Sequence, residues 1–355
     1  MAKAAPTIHD LTRECFREST LDLPSQLPSA PPGVVDAGQV RHGRFQGRMP
    51  EVDWRGLGSL RARSRLWRKA HHKRWHYVGI TSPDVFVGLA IVDVGWCMTA
   101  FAYVFDRLLG RVVFNWEQVG APWLSGRVND RPVTGALARY RGLGADFSIT
   151  HTDGDVLRVA GRVDRLRVEA ELALSEGAPI LVATGPVEGG LGHSTHKTSA
   201  LPVSGTLELE GCTWSLDQAT ACLDSSNGML ARDTAWRWAC AHRPGLGFNL
   251  QQGYFGDQEN ALWLAGELIP LGAAQFEFDE GDPLAPWRVR TEDGLLDLRF
   301  EPQGARAAHT NVIVAASRYV QPVGLFQGTV RRSPHATPVR VQDLLGVTED
   351  HHSRW

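Results

Sequence analysis

The chain has 355 residues, with 37 Lys and Arg against 39 Asp and Glu and a formal net charge of -2. That balance supplies no global field for nucleic acid or an anionic membrane surface, so neither is expected as a partner. The length admits two domains of roughly 150 residues or one large β structure.

The five cysteines, Cys15, Cys97, Cys212, Cys222 and Cys240, are widely spaced and contain no CxxC pair. They read as reduced thiols of a cytosolic protein. Asp10, Arg13, Glu14, Arg17 and Glu18 stand where a secretory signal needs an apolar stretch, which places the expected location in the cytoplasm.

Residues 1–50 contain "LPSQLPSAPPG" and "GRFQGRMP" and predict an extended arm lying over the body. One helix is expected between Trp54 and Trp75. Arg61, Arg63, Arg65, Arg68, Lys69, Lys73 and Arg74 load it with charge, while Leu60, Leu66 and Trp67 give it a docking face. A short basic run of this kind is read as a solvated face rather than a nucleic-acid surface.

"VFVGLAIVDVGWCMTAFAYVF", Val85 to Phe105, is long enough to span a bilayer and holds one charge, Asp93. A mid-membrane aspartate is costly, and the β-branched and aromatic content fits two buried strands joined by a tight turn. No stable membrane insertion is therefore expected.

From Arg74 onward the pattern is β. Residues 146–174 form the clearest meander, with a hairpin signal at "TDGD"; "TEDGLL" gives another in the second half. Strands about every ten residues, without long helices between them, favour antiparallel barrels or sandwiches. The predicted fold is mainly β: an N-terminal arm (1–50), an N-terminal β lobe (51–200) and a C-terminal β lobe (201–355).

Histidines occur in "HHKRWH", "HSTHKT" and "EDHHSRW", the last with Glu349, His351 and His352. His193 and His196 fall in a segment read as a loop. No cluster supplies three ligands at a spacing that closes a site, so neither a metal nor a cofactor is expected. GxSxG, P-loop and GxGxxG motifs are absent, which argues against covalent hydrolases and nucleotide enzymes.

Twelve tryptophans against five tyrosines are a heavy indole load, suited to a thick core or to a cavity for an apolar ligand. Trp236 and Trp238 share a face only on an extended strand. Trp214, Trp263 and Trp287 are further candidates for an aromatic lining. Asp224, Asn249, Glu259 and Asn260 each sit at the edge of an apolar run, where they either cap turns or act in chemistry. A carboxylate against indole walls has a raised pKa and serves as a general acid.

"KRWHYVGI", "VGLAIVDVGW", "HKTSALPVSGTLELEG", "DSSNGMLARDTAWRWACA", "GFNLQQGYFGDQENALWLAGELIPL", "PWRVRTEDGLLDLRFEP" and "GVTEDHHSRW" together resemble a bacterial family classed as a domain of unknown function. That family is distantly similar to two-lobed lipocalin-like (calycin) proteins, which include carotenoid 1,2-hydratases, AttH-like proteins and fungal pericyclases. The resemblance implies two calycin-like lobes and transfers no reaction.

The expected ligand is an apolar or amphipathic small molecule of polyene, isoprenoid or fatty acyl type. Asp224 and Glu259 are the candidate acids, and Trp75, Tyr77, His196, Lys197, Trp236, Trp238, Asn249 and Asn260 the candidate ligand contacts. A cofactor-independent hydratase or cyclase, a non-catalytic carrier and a structural, stress-related protein with a filled barrel remain alternatives. The filled barrel would lack a cavity of several hundred Å³.

Overall fold

The computed structural model describes residues 26–312 and 315–354. The first half of the expected arm, together with Cys15 and the acidic and basic residues 10–18, lies outside the described residues. Nearly everything else is β, in one fifteen-stranded sheet, one nine-stranded sheet and a two-stranded hairpin at Val35–Asp36 and Gln39–Val40.

The first sheet runs through the meander His72–Thr81, Val85–Asp93, Met98–Asp106 and Arg111–Gly120. It continues from His72–Thr81 through Thr220–Met229, Leu201–Leu209 and Leu166–Ala173 into the hairpins between residues 126 and 163. Asp233–Arg243, Val339–Arg354 and Ala315–Val330 are central to the second sheet. The sheet therefore changes between Met229 and Asp233. The boundary expected near residue 200 falls inside the first sheet, because Leu201–Leu209 and Thr220–Met229 pair with its strands.

The apolar run from Val85 to Phe105 forms two antiparallel strands around a turn at Gly95, as its composition predicted. Period-two alternation explains why it looks uniformly apolar. Val87, Leu89, Ile91, Ala100, Ala102 and Val104 fill the core of the first lobe. Phe86, Ala90, Phe101, Tyr103 and Phe105 point the other way, into a layer shared with Trp238, Cys240, Val323, Leu345 and Val347 of the second sheet. Both faces pack against protein, which is why both are largely apolar. Among the described residues no helix is long and apolar enough to cross a membrane.

The helix expected over 54–75 is two short ones, Gly58–Arg61 and Arg65–His71. Ser64 starts the second by accepting a hydrogen bond from the Trp67 amide at 3.1 Å. His72 already belongs to a strand, whose edge-to-edge pairing overrides the helical spacing of the basic residues. "HSTHK" is also a strand, Gly192–Lys197, rather than a loop: it lies between Leu181–Gly185 and Thr220–Met229. The arm contributes Gly43–Gln46 as a further strand on Leu181–Gly185. Val34 and Met49 of the arm, with Val52 and Trp54 just after it, pack onto Val182 and Met229.

Candidate functional site

Between the two sheets lies a cavity of about 110 Å³. The first sheet supplies Trp75, Tyr77, Phe101, Lys197 and Asp224 to its lining; the second supplies Trp236, Trp238, Gln251, Tyr319, Gln321, Glu349 and His351, while Tyr254 and Glu259 come from the turn after Leu246–Gly253. The aromatic wall follows from strand parity. Trp75 and Tyr77 stand two apart on one strand, as do Trp236 and Trp238 on another.

Each indole on the second sheet is pinned by its N–H. Trp238 donates to Asn249 Oδ1 at 2.8 Å and Trp236 to Glu349 Oε1 at 2.9 Å. Their rings are thus held with faces and edges toward Tyr77, at 5.7 Å from Trp238, and Tyr254, at 5.9 Å from Trp236. The other candidate tryptophans are core. Trp214 packs on the first lobe, Trp263 donates to the Pro179 carbonyl, and Trp287 stacks on Phe278.

The polar centre is a buried ion cluster. Lys197 and Asp224 are directly opposed in the ladder between Gly192–Lys197 and Thr220–Met229. The Lys197 ammonium lies 2.6 Å from Asp224 Oδ2 and 2.9 Å from Glu259 Oε2. The Lys197, Asp224 and Glu259 side chains are 4%, 14% and 5% exposed. Ser226 and Thr195 donate to the other Asp224 oxygen at 3.0 and 3.3 Å.

Burial alone would strip Lys197 of its proton, but Asp224 and Glu259 together hold its pKa above the usual lysine value. Glu259 is also raised: burial pushes it up, Lys197 opposes this, and Asp224 reinforces it. An isolated ion pair would shift its two members in opposite directions. Here one cation serves two carboxylates, and burial with the Asp224 charge leaves Glu259 readier to take up a proton than an ordinary glutamate.

A second polar group lines the same cavity. Glu349 accepts hydrogen bonds from Trp236 and from Gln321 Nε2 at 2.7 Å, and its Oε1 is 3.3 Å from His351 Nδ1. Tyr103 donates to Gln321 Oε1. Arg306 stacks its guanidinium 4.2 Å from the Phe101 ring and 4.8 Å from that of Tyr319, while pairing with Glu117 at 2.7 Å across the two sheets.

Of the residues singled out from sequence, Trp75, Tyr77, Lys197, Asp224, Trp236, Trp238 and Glu259 meet at this cavity. His196, Asn249 and Asn260 do not line it. His196 points to the opposite face from Lys197, where its Nε2 accepts the Met49 amide at 3.2 Å. Asn249 donates to the Glu259 carbonyl and Asn260 accepts the Gln251 amide and donates to the Gly272 carbonyl. Those two asparagines shape the turn that presents Glu259. Sequence reasoning did not place Tyr254, Tyr319, Gln321, Glu349 or His351 in the site. "EDHHSRW" carried the last two, but its strand parity is visible only once the strand is known.

A cleft of about 320 Å³ lies beside the basic segment, lined by Arg65, Arg68, Lys69, Arg74 and Trp123 among others. Several of these cations are engaged already: Arg74 with Asp93 and Asp130, and Lys69 over the Trp123 ring at 3.8 Å.

The fold is similar to those of two solved proteins. The structure assigned as an AttH from Nitrosomonas europaea superimposes with a TM-score of 0.51 at 12% identity, covering 79% of this chain and 92% of that one. Kievitone hydratase from Nectria haematococca gives a TM-score of 0.53 at 12% identity, covering 92% of this chain and 97% of that one. At such identity the likeness shows the fold alone, the two-lobed lipocalin-like architecture. No curated protein sequence matches. Residues 32–355 match one sequence family throughout, and the chain belongs to it: the domain of unknown function DUF2804.

Proposed function

We propose that the protein binds an apolar or amphipathic small molecule of polyene, isoprenoid or fatty acyl type between its two sheets and acts on it by cofactor-free acid/base chemistry, hydration or cyclisation. One observation carries the reading: a buried Lys197 bridging two carboxylates at an aromatic cavity between the lobes. Three buried charges are not explained by stability, since hydrophobic side chains of similar volume are often at least as stabilising. The hydratase fold among the structural relatives is in keeping with it.

In this reading protonated Glu259 delivers its proton to an alkene carbon. The cation that develops faces the indoles of Trp236 and Trp238 and the Trp75 ring. Water, or another double bond of the same molecule, then closes on the cation, and a carboxylate takes back the proton. Lys197 bridges Asp224 and Glu259 and fixes both carboxylates.

The cavity volume limits the ligand. About 150 Å³ suffices for one benzene ring, and typical ligand pockets run from about 300 Å³ upward. A space of about 110 Å³ is below the several hundred Å³ that separates a ligand cavity from a filled barrel, so the proposal requires that only the compact reacting end of an amphipathic molecule enters, with the remainder of the chain outside the cavity.

The test is native mass spectrometry of protein incubated with a panel of isoprenoid, polyene and fatty acyl compounds, followed by product analysis in H₂¹⁸O. Retention of a compound, with turnover lost in Glu259→Gln but binding kept, is the expected result. Retention of unchanged compound by the wild type identifies a carrier. No retention, together with unaltered tryptophan fluorescence, refutes the reading.

A further inference from the structure

Behind the cavity wall formed by Tyr77 and Trp238 lies a smaller cleft lined by these residues with Thr81, Cys222, Cys240 and His242. Cys222 comes from the first sheet. Cys240 and His242 stand two apart on Asp233–Arg243 of the second, so both side chains fall on one face. The two sulfurs are 3.9 Å apart, and one atom each of Cys222, Cys240 and His242 lie within 4.8 Å of one another.

All three residues are buried, His242 to 4% exposure. Among the described residues His242 meets no nitrogen or oxygen partner; its polar contact is the Cys222 thiol, which itself accepts from Cys240, and the Thr81 hydroxyl has no partner. Imidazole withdrawn from water is destabilising unless something binds it. Gly79, opposite Cys222 in the ladder, leaves the sulfur room, for a Cβ there would stand 3.2 Å from it.

We infer that Cys222, Cys240 and His242 form a site for a thiophilic d10 cation, Zn(II) or Cu(I), which ties the two sheets together next to the cavity. The sulfur spacing suits a metal: bonds of about 2.3 Å at a tetrahedral angle place two thiolates about 3.8 Å apart, close to what is found. A disulfide needs about 2.05 Å, which the side chains do not reach as they stand. Binding releases the two thiol protons and uses a neutral imidazole nitrogen. Three ligands complete a Cu(I) site, whereas Zn(II) needs a fourth ligand for which the cleft has no water-sized room, so Cu(I) is the ion the three residues suit better.

Untagged protein, reduced and stripped with a chelator, is titrated with Zn(II) and separately with Cu(I) under nitrogen. Metal per chain is read after desalting, and alkylation of each cysteine is mapped by mass spectrometry. One ion per chain is expected, with Cys222 and Cys240 protected while Cys97 and Cys212 stay reactive. Cys222→Ser and His242→Gln should lose the ion, and Cys97→Ser and Cys212→Ser should keep it. The metal should also raise the melting temperature of the wild type but not of His242→Gln. No retained metal in folded wild-type protein refutes the site, as does recovery of Cys222 and Cys240 as a disulfide. If the variants fail to fold, a wild-type melting temperature that neither metal raises is sufficient refutation.

Discussion

Replacing Lys197 with Met keeps the volume of the stem and deletes the charge 2.6 Å from Asp224 and 2.9 Å from Glu259. Removing one partner of a buried ion pair costs about 3 to 5 kcal/mol, since the survivor keeps its desolvation penalty without compensation. Here two carboxylates survive, within one buried layer. At about 2.1 cal/mol/K per residue, unfolding of 355 residues has an entropy near 0.75 kcal/mol/K, so the expected loss is roughly 4 to 7 °C in Tm if both sheets unfold together. Acid should relieve it. Glu259 already has a raised pKa in the folded protein through burial, and loss of Lys197 raises it further. A carboxyl with a raised folded pKa adds stability at low pH and loses it as pH rises through that value. The gap between Lys197→Met and wild type should therefore be smaller at about pH 5 than at about pH 7.5. Thermal melts followed by circular dichroism at both pH values measure it. An unchanged Tm at the higher pH, or the same loss at both, would show that the three groups are not electrostatically coupled.

Two further outcomes follow from buried groups. Burial lowers His76 to about 4 and His193 and His196 to about 3, from an ordinary histidine value of about 6.5. Each depressed histidine gives stability that is complete above its unfolded pKa and falls by about 1.4 kcal/mol per unit as pH drops from 6.5 toward the folded value. Ring NMR titration should find these three neutral at about pH 5; protonation of any of them near 6.5 would contradict their placement. Gly88 lies under the Tyr103 ring, and a Cβ at that position would fall inside it. Gly88→Ala should cost about 1 to 3 kcal/mol in urea unfolding and weaken the Tyr103–Gln321 hydrogen bond, which near-ultraviolet dichroism detects; a variant within 0.5 kcal/mol of wild type (roughly the error of such measurements) would mean the ring is free to move.

Strand content and the lobed architecture were legible because alternation and turn residues are local. Val85–Phe105 was recognisable as two strands for the same reason, although its lack of polar alternation concealed that each face packs on a different sheet. The basic segment misled: charge spacing fits a helix, but strand pairing from His72 onward decided the outcome. Asp224 and Glu259 stood out as acids beside apolar runs, yet Lys197 joins them only through the ladder that sets it opposite Asp224. His196, one residue away, was equally plausible by sequence and faces elsewhere. Cys222, Cys240 and His242 are a long-range meeting whose spacing in the chain contains no signal for it.

The strand Val339–Arg354 is hydrogen-bonded on both sides, to Asp233–Arg243 and to Ala315–Val330. During synthesis the whole first sheet has left the ribosome long before that strand exists. Phe86, Ala90, Phe101, Tyr103 and Phe105 must then wait partly covered, because Leu345 and Val347 are missing from the layer and the strands that carry Trp238 and Val323 lack the one that joins them. Nascent chains stalled before residue 339 should consequently be the most chaperone-dependent form of this protein, and C-terminal truncation its surest route to aggregation.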